Sequence, residues 1–196
     1  MDCITRNIWW IAIVAVLGIF VVSGINTIPS LDEKVKASWS EVQNQYQRRS
    51  DLIPNLVETV KGYANFEKQT LTDVIEARAS ATKVTLSPEM LSNPDAMKNF
   101  EQAQGNLTSA LSRLMVVVEK YPDLKANQNF LALQSQLEGT ENRIVIARKD
   151  YITVVQEYNT RVRTFPGMIW AKIYGAQPKA TFTAIEGAEK PPAVKF

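Results

Sequence analysis

Two pairs of neighbouring carboxylates are the first candidates for chemistry in this sequence. Asp32 and Glu33 are adjacent, and Glu138 and Glu141 are three positions apart. Paired acids can act as general acid and base, and carboxylates on facing helices can hold two metal ions. Such di-metal bundles also need a Glu-x-x-His motif, however, and the sequence has no histidine. Because acids at helix starts and on helix faces are common, we predict that both pairs are structural.

The composition excludes most other catalytic chemistry. Without histidine there is no neutral imidazole base and no Ser-His-Asp set. Cys3 is the only cysteine, which excludes internal disulfides and zinc clusters of Cys and His. The chain has no Gly-rich phosphate loop, and its 22 basic and 20 acidic residues form no basic face interleaved with aromatic rings. We therefore expect a protein that is not an enzyme and has no metal, no cofactor and no nucleic-acid partner.

Charged residues at apolar positions of a helical repeat are more informative. Over residues 35–63, apolar side chains recur at alternating spacings of four and three, which is a coiled-coil-like heptad seam with Arg49 in one position. Glu141 and Arg148 fill equivalent positions in a second seam over residues 130–165. The sequence therefore predicts charged groups that face the interior of a helical bundle.

These inward charges are expected to pair, because an isolated buried charge is too costly to persist. We predict that Arg49 or Arg78 meets Glu141 across the bundle, with Asp51 or Asn142 completing the hydrogen bonds. Such a pair would fix the register of the helices, as a polar residue at a seam position does in coiled coils. The alternative is a polar binding site within the bundle.

Pro54 lies inside the first seam. Proline removes one amide and clashes with the carbonyl four residues earlier, here that of Ser50, at a cost of about 3 kcal/mol in a straight helix. We predict a kink at Pro54 that opens the Ser50 carbonyl to another donor. The alternative is a new helix start with Asp51 as N-cap, in which Pro54 occupies the first turn.

The elements that must position these residues are helices. The capping box Ser30–Glu33 predicts a helix that begins at Leu31, and a fresh apolar stripe up to Lys83 indicates either a second helix or a bent continuation. Asn93 before Pro94 is the favoured N-cap and first-turn pair of another helix. The apolar face of that helix is Met97, Phe100, Leu107, Leu111, Leu114, Val118 and Tyr121.

Pro122 indicates a tight connection to a last long helix, and the chain then ends in a short apolar helix closed by Gly175 and a non-periodic tail. The stripe of the last long helix is Phe130, Gln134, Leu137, Glu141, Ile144, Arg148, Tyr151, Val155, Tyr158, Val162 and Phe165. No strand pattern appears. The sequence thus predicts an all-α fold with an N-terminal transmembrane helix, an antiparallel up-and-down bundle of three to four long helices over residues 30–175, and an extended tail over residues 176–196.

The predicted anchor is residues 8–25, "IWWIAIVAVLGIFVVSGI", which contain no charge and follow a short N-terminal segment of residues 1–7. A helix of this length spans about 27 Å, close to the hydrocarbon thickness of a bilayer. We expect a retained, single-pass anchor; the alternatives are a buried core helix and a cleaved signal peptide. The residues assigned to it are Trp9, Trp10, Ile11, Val14, Leu17, Phe20 and Val21.

A second compact apolar cluster follows the last long helix. It could dip into a membrane interface or hold a partner, but docking onto the bundle is the favoured interpretation. Its members are Met168, Ile169, Trp170, Ile173 and Tyr174.

Several long blocks of the sequence resemble the LemA family. They are "SLDEKVKASWSEVQNQYQRRSDLIPNLVETVKGYANFE", "TENRIVIARKDY", "YNTRVRTFPGMIW" and "PPAVKF", in that order over nearly the whole chain. The resemblance implies an up-and-down helical bundle on an N-terminal membrane anchor, and no enzyme activity. Similar proteins often carry a lipidated cysteine where "VVSGINTIPSLDE" has Ile25, so the resemblance also implies that the bundle lies on the trans side of the membrane.

Two classes of function remain as expectations. The first is a non-catalytic, membrane-anchored scaffold or interaction protein of the bacterial envelope that forms homo-oligomers. The second is an accessory or regulatory subunit of a membrane enzyme such as a protease, which makes a membrane protein its partner. In both cases we expect a single-pass protein of the bacterial inner membrane with a periplasmic or otherwise extracytoplasmic bundle.

Overall fold

The described part of the chain is helical. A computed structural model describes residues 2–63 and 67–183, with the backbone alone for residues 2–9, 17, 19, 20, 22 and 23. Within these residues there is no β-strand, so the predicted all-α bundle is confirmed. The elements are α1 (Asp2–Lys61), α2 (Lys68–Lys83), a 3₁₀ helix (Pro88–Ser92), α3 (Pro94–Val118), α4 (Pro122–Lys125), α5 (Gln128–Arg163) and α6 (Gly167–Tyr174).

The expected helix start at Leu31 is wrong, because α1 continues unbroken through Pro29. A proline in a helix interior costs about 3 kcal/mol. Ile28, Leu31 and Val35 are all buried, however, and each such side chain contributes about 1.5–3 kcal/mol when it leaves water. The free energy gained by burying side chains on both sides of Pro29 therefore exceeds the cost of a proline inside the helix. Glu33, the expected capping residue, instead accepts a hydrogen bond from Lys36 at 2.7 Å.

Helix α1 also continues through Pro54 to Lys61, so the alternative of a new helix start at Asp51 is wrong. The Asp51 carboxylate accepts a hydrogen bond from the Gln47 side chain at 2.8 Å and caps nothing. The next element, α2, is a separate helix rather than a continuation of α1.

The N-cap predicted for the next helix is confirmed. The Asn93 side chain accepts hydrogen bonds from the amides of Asp95 and Ala96 at 3.0 and 3.2 Å, and Pro94 occupies the first position of α3. Asn127 caps α5 in the same way through the amides of Asn129 and Phe130.

Two stacked clusters of apolar side chains form the core. The proximal cluster is centred on Trp39 and Tyr151 and joins the first half of the bundle part of α1 to the second half of α5. The distal cluster joins Ile53, Leu56 and Val60 to α2, α3, α4 and the start of α5. Helix α1 packs along α5, and α2 packs along α3. Both pairs are antiparallel: the proximal cluster joins the earlier part of α1 to the later part of α5, and Asp73 and Ala81 of α2 face Arg113 and Gln104 of α3.

The second seam ends one seam position earlier than the sequence predicts, at Val162 instead of Phe165. Helix α5 stops at Arg163, and Phe165, assigned to the buried stripe, is 74 % exposed. Because the chain leaves the helical path at Thr164, the spacing that would bury Phe165 no longer applies. Gly175 closes α6 with a φ of 63°, a left-handed conformation that favours glycine.

The described tail, residues 176–183, is not helical and lies against the bundle. The Ala180 amide donates to the Leu91 carbonyl at 2.7 Å, and the Tyr151 hydroxyl donates to the Ala180 carbonyl at 3.0 Å. Phe182 is buried beside Trp39. The rest of the predicted tail, residues 184–196, lies outside the described residues.

A search of the described residues found no helix long and apolar enough to cross a membrane. Trp9, Leu17 and Phe20 of the predicted anchor have side chains outside the described part of the chain. The other four assigned residues, Trp10, Ile11, Val14 and Val21, are exposed on α1.

Candidate functional site

The most unusual group in the bundle is Arg49, whose side chain is only 1 % exposed. Its Nη1 atom donates to Glu141 Oε1 at 2.8 Å and to Thr108 Oγ1 at 2.9 Å. Its Nη2 atom donates to Gln104 Oε1 at 2.5 Å, and the guanidinium lies 5.0 Å from the centre of the Tyr46 ring. One arginine of α1 therefore connects α3 and α5.

Gln104 extends this group to a fourth helix. Its side-chain nitrogen donates to the Ala81 carbonyl of α2 at 3.4 Å. Two polar neighbours in the sequence are buried as well: Ser50, which follows Arg49, and Thr140, which precedes Glu141. We call Arg49, Ser50, Gln104, Thr108 and Glu141 the polar layer. It lies along α1 between Tyr46 of the proximal cluster and Ile53 of the distal cluster.

The electrostatics of the polar layer are asymmetric. Arg49 is fully buried, whereas the Glu141 side chain is 39 % exposed and so keeps part of its hydration. The hydrogen bonds that Arg49 donates through Nη1 and Nη2 compensate part of the loss of water around its charge, whereas its Nε atom is buried without a hydrogen-bond partner among the described residues. Burial, the largest cause, raises the pKa of the neighbouring Tyr46 hydroxyl above its ordinary value. The phenol of Tyr46, which borders the polar layer beside Arg49, is therefore neutral at neutral pH.

The structure brings together two of the four charged seam residues predicted from the sequence, Arg49 and Glu141. Neither residue proposed to complete their hydrogen bonds does so. Asp51 faces Gln47, and Asn142 is exposed. Gln104 and Thr108 take these roles instead. Sequence reasoning missed Gln104 although it fills the position between Phe100 and Leu107 in the apolar stripe of α3, whereas Thr108 lies outside that stripe.

Arg78 contacts α1 at another point. Its Nε atom donates to the Ser50 carbonyl at 2.8 Å. This carbonyl is the one that lacks an amide partner within the helix, because residue 54 is proline. Arg78 therefore supplies the hydrogen bond that Pro54 removes, which is the additional donor to the Ser50 carbonyl that the sequence predicted.

Arg148 also lies apart from Arg49. It is 3.5 Å from Glu101 and sits over the Phe182 ring at 4.3 Å. Glu101 in turn accepts hydrogen bonds from the Thr183 amide and hydroxyl, both at 2.9 Å. Arg148 therefore contacts the tail through Phe182 and Glu101. Such a contact produces no periodic pattern in the sequence.

A second charged group ties the tail to α1. Asp32 lies 2.9 Å from the Lys36 ammonium and 3.1 Å from that of Lys179. Burial acts to raise the pKa of Asp32, but the hydrogen bonds from Lys36 and Lys179 outweigh it, so the pKa lies below its ordinary value. Asp32, one of the acids first considered for catalysis, thus has a structural role.

The predicted apolar cluster on α6 divides into two faces. Trp170 packs against the proximal cluster and Ala171 is buried in it, which agrees with docking onto the bundle. Its four other members, Met168, Ile169, Ile173 and Tyr174, are exposed.

Several clefts lie along the described bundle. An open groove of about 810 Å³ runs between α1 and α5 and includes Asn26, Ser30, Thr153 and Arg161. A smaller cavity of about 120 Å³ borders Ser50 and Gln104 of the polar layer. Over residues 2–63 and 67–183, no group of three or more His, Cys, Asp or Glu side chains could hold a metal ion.

The fold and the polar layer define an all-helical bundle protein with one long N-terminal helix that is shared by both core clusters. The sequence model of the LemA family matches residues 38–196. The chain belongs to the LemA family, as its resemblance to that family predicted.

Three relatives match this chain at low sequence identity. It is 26 % identical over 166 residues to magnetosome protein MamQ 2 of Paramagnetospirillum magneticum, covering 76 % of this chain and 61 % of that protein. It is 25 % identical over 166 residues to magnetosome protein MamQ of Magnetospirillum gryphiswaldense, with the same two shares. It is 25 % identical over 133 residues to protein LemA of Metamycoplasma hominis, covering 67 % of this chain and 56 % of that protein. The aligned region thus spans about three fifths of the length of these relatives.

Proposed function

We propose that this chain is a non-catalytic scaffold or interaction protein of the bacterial envelope, held at the membrane by α1 and assembled into homo-oligomers. The observation that carries the proposal is the continuity of α1, which runs from the predicted anchor into both core clusters without a linker. Such a helix fixes the bundle relative to the anchor. The absence of histidine and the single cysteine in the sequence favour a role without catalysis.

The outer face of α5 supports self-association. Leu131, Val145 and Ile152 lie on one line of this helix at multiples of seven residues, and Ile146 lies beside Val145. All four side chains are exposed. Glu138, also exposed, interrupts this line between Leu131 and Val145, so the apolar stretch that a second helix could bury is formed by Val145, Ile146 and Ile152.

The alternative is an accessory subunit of a membrane enzyme such as a protease. The observation that favours it is the groove between α1 and α5, which begins at Asn26, directly after the predicted anchor. Its hydroxyl, amide and charged side chains offer hydrogen bonds to a segment of a membrane partner, whereas the α5 line offers apolar contact.

Crosslinking in membranes separates the two functions. In full-length protein with Cys3→Ser, a cysteine is placed on the apolar line by Val145→Cys, and Ser109→Cys on the exposed face of α3 is the matched control. A scaffold gives disulfide-linked homodimers at position 145 and few at position 109. Equal yields at both positions contradict self-association through α5, and a monomer that co-purifies with one membrane enzyme favours the accessory subunit.

A further inference from the structure

The position of α6 is fixed at the end of the predicted anchor. A Cβ atom at Gly24 would lie 2.0 Å from Trp170 Nε1, so the indole rests directly on the backbone of α1 at this residue. Gly167 is equally confined, since a Cβ there would lie 2.2 Å from the Arg161 carbonyl oxygen. Helix α6 therefore lies beside the last turn of the charge-free segment, and residues 24 and 167 leave no room for it to shift.

The opposite face of α6 is apolar and exposed. Ile173 is 66 % exposed and Met168 is 51 % exposed, and Ile169, Tyr174 and the nearby Phe165 are exposed with them. On α1, Val21 and Ile25 are exposed at the same level of the molecule. Apolar surface thus extends from the anchor onto α6, where a water-facing helix would be expected to carry polar side chains.

The segment of chain that contains α6 carries charge of one sign, whereas Asp32, Glu33 and Glu89 border a cleft on the side of Tyr174. From Tyr158 to Ile185 the sequence has four basic residues and no acid. Lys179 is paired with Asp32. Arg161, Arg163 and Lys172 are exposed and have no ion pair among residues 2–63 and 67–183. An apolar face bordered by free basic groups fits the anionic headgroup region of a bilayer.

We propose that the exposed face of α6 inserts into the interface of an anionic bilayer beside the end of the anchor, as a second membrane contact. This inference rests on the proposed anchoring by α1. A second copy of the chain is the other possible occupant of this face. Gly24 lies at the end of the proposed anchor, however, so α6 packs at the level where the anchor leaves the bilayer, and lipid is the nearest surface for its exposed face. A bundle held by one helix can rotate about the axis of that helix. A second contact at this level would prevent the rotation and set the tilt of the bundle relative to the bilayer.

Depth-dependent quenching tests the proposal. Full-length Cys3→Ser protein carries an environment-sensitive fluorophore at Ile173→Cys. The control is Val116→Cys, since Val116 is 67 % exposed and its neighbours Met115 and Val117 pack against the distal cluster, away from α6. Each protein is reconstituted into vesicles of phosphatidylcholine with phosphatidylglycerol, with or without brominated acyl chains. We expect severalfold more quenching by brominated lipid at position 173 than at position 116. Equal, low quenching at both positions overturns the proposal.

Flotation of the same vesicles keeps the two hypotheses distinguishable. Protein that fails to float overturns both the anchor and the α6 contact. Protein that floats, with position 173 unquenched, leaves the anchor intact and overturns the α6 contact alone. A blue-shifted emission at position 173 without lipid quenching means that another protein chain covers α6, which also overturns it.

The basic groups have their own test. In pure phosphatidylcholine vesicles, quenching at position 173 should fall severalfold, and Arg161→Gln, Arg163→Gln and Lys172→Gln combined should reduce quenching in the anionic vesicles to the same level. Glu157→Gln, one turn before Arg161 on α5, is the control and should not reduce it. Equal quenching in neutral and anionic lipid contradicts the role of the charges.

Discussion

Arg49 shows how one residue can specify a packing arrangement without adding stability. Replacing a buried ion pair by apolar groups is often neutral, whereas removing one partner leaves an uncompensated charge or an unpaired polar group. Because Arg49 is buried and Glu141 is partly hydrated, the two single replacements are not equivalent. The loss of Glu141 leaves a buried cation, whereas the loss of Arg49 leaves the Gln104 oxygen without its donor.

A double-mutant cycle measures this coupling. We expect Glu141→Leu to lower the free energy of unfolding by about 3 kcal/mol and Arg49→Leu to lower it by about 2 kcal/mol. The double replacement should recover much of the summed loss. Urea denaturation of the four proteins under one condition gives the values. Glu138→Leu, an exposed acid on the same helix, is the control and should stay within about 0.5 kcal/mol; additive losses would mean that the pair does not act as a unit.

The residue scale is also where the limits of sequence reasoning are clearest. The interruption of a heptad seam by Arg49 and Glu141 predicts that both face inward, so their pairing was predictable. Gln104 carries a comparable signal, since it fills the missing position of the apolar repeat of α3 between Phe100 and Leu107, but Thr108 lies outside that repeat and was not predictable. Which polar side chain completes a buried pair depends on the rotation of the neighbouring helix, and this rotation is set by the whole core.

At the scale of elements, α1 remains a single helix because other parts of the chain compensate its prolines. Arg78 of α2 donates to the carbonyl that Pro54 leaves unpaired. Local sequence signals favoured a helix start at Leu31 and a kink or a new helix start near Pro54. Burial on both sides of Pro29 keeps α1 unbroken at the first site, and at the second a hydrogen bond from Arg78 replaces the one that Pro54 removes. Such compensation comes from distant residues and is invisible to a local pattern.

Arg78 and Pro54 should therefore be energetically coupled. Arg78→Leu leaves the buried Ser50 carbonyl unpaired and should lower the free energy of unfolding by about 1–2 kcal/mol. In a Pro54→Ala background the new amide donates to the same carbonyl, so Arg78→Leu should cost less. Thermal unfolding of the four variants tests this, and an equal cost in both backgrounds would contradict it.

The tail is an element that no periodicity reveals. Its described part is held by Asn159, Tyr151 and Glu101 through hydrogen bonds and by Asp32 through Lys179. Extended segments bind through individual backbone groups and single side chains, so their position leaves no repeat in the sequence. The prediction of an extended conformation after Gly175 fits residues 176–183, whereas their attachment to the bundle was missed.

The attachment of the tail should weaken in acid. The pKa of Asp32 is lowered in the folded protein, so its contribution to stability is present above the ordinary value of 3.8 and is lost as the pH falls through the lower, folded value. Asp32→Asn should therefore cost about 1 kcal/mol at neutral pH, and the difference from the parent should shrink below about pH 4. Glu33→Gln, which removes a partner of Lys36 alone, is the control. A cost that does not change with pH would exclude the carboxylate as its source.

At the scale of the whole molecule, the polar layer lies between two apolar clusters that share α1, α3 and α5. The proximal cluster contains the tail, α6 and the aromatic side chains around Trp39, and the distal cluster contains α2 and α4. The sequence predicted one seam through both. The division into two clusters follows from the buried charge at Arg49. In the apolar repeat of the sequence, this residue is visible only as one missing apolar position.

Sidedness of the bundle can be tested in cells. Ser87 is exposed before the 3₁₀ helix, so Ser87→Cys in Cys3→Ser protein gives one accessible thiol on the bundle. An impermeant thiol reagent should label it in intact spheroplasts if the bundle is extracytoplasmic, as the family resemblance implies. Labelling that requires lysis would put the bundle in the cytoplasm. A cysteine at Ser109 serves as an independent second position.

If α1 anchors the bundle as proposed, its length also determines how far from the bilayer this protein can act. Between Ile25 and Lys61 the helix extends over 36 residues, or roughly 54 Å at 1.5 Å per residue. The turn between α3 and α5 lies at that distal end, beside the last buried residues of α1. A partner held by the distal surface would thus be kept at a nearly constant height of about five nanometres above the membrane. Shortening α1 by whole heptads would lower that height without disturbing the phase of the seam.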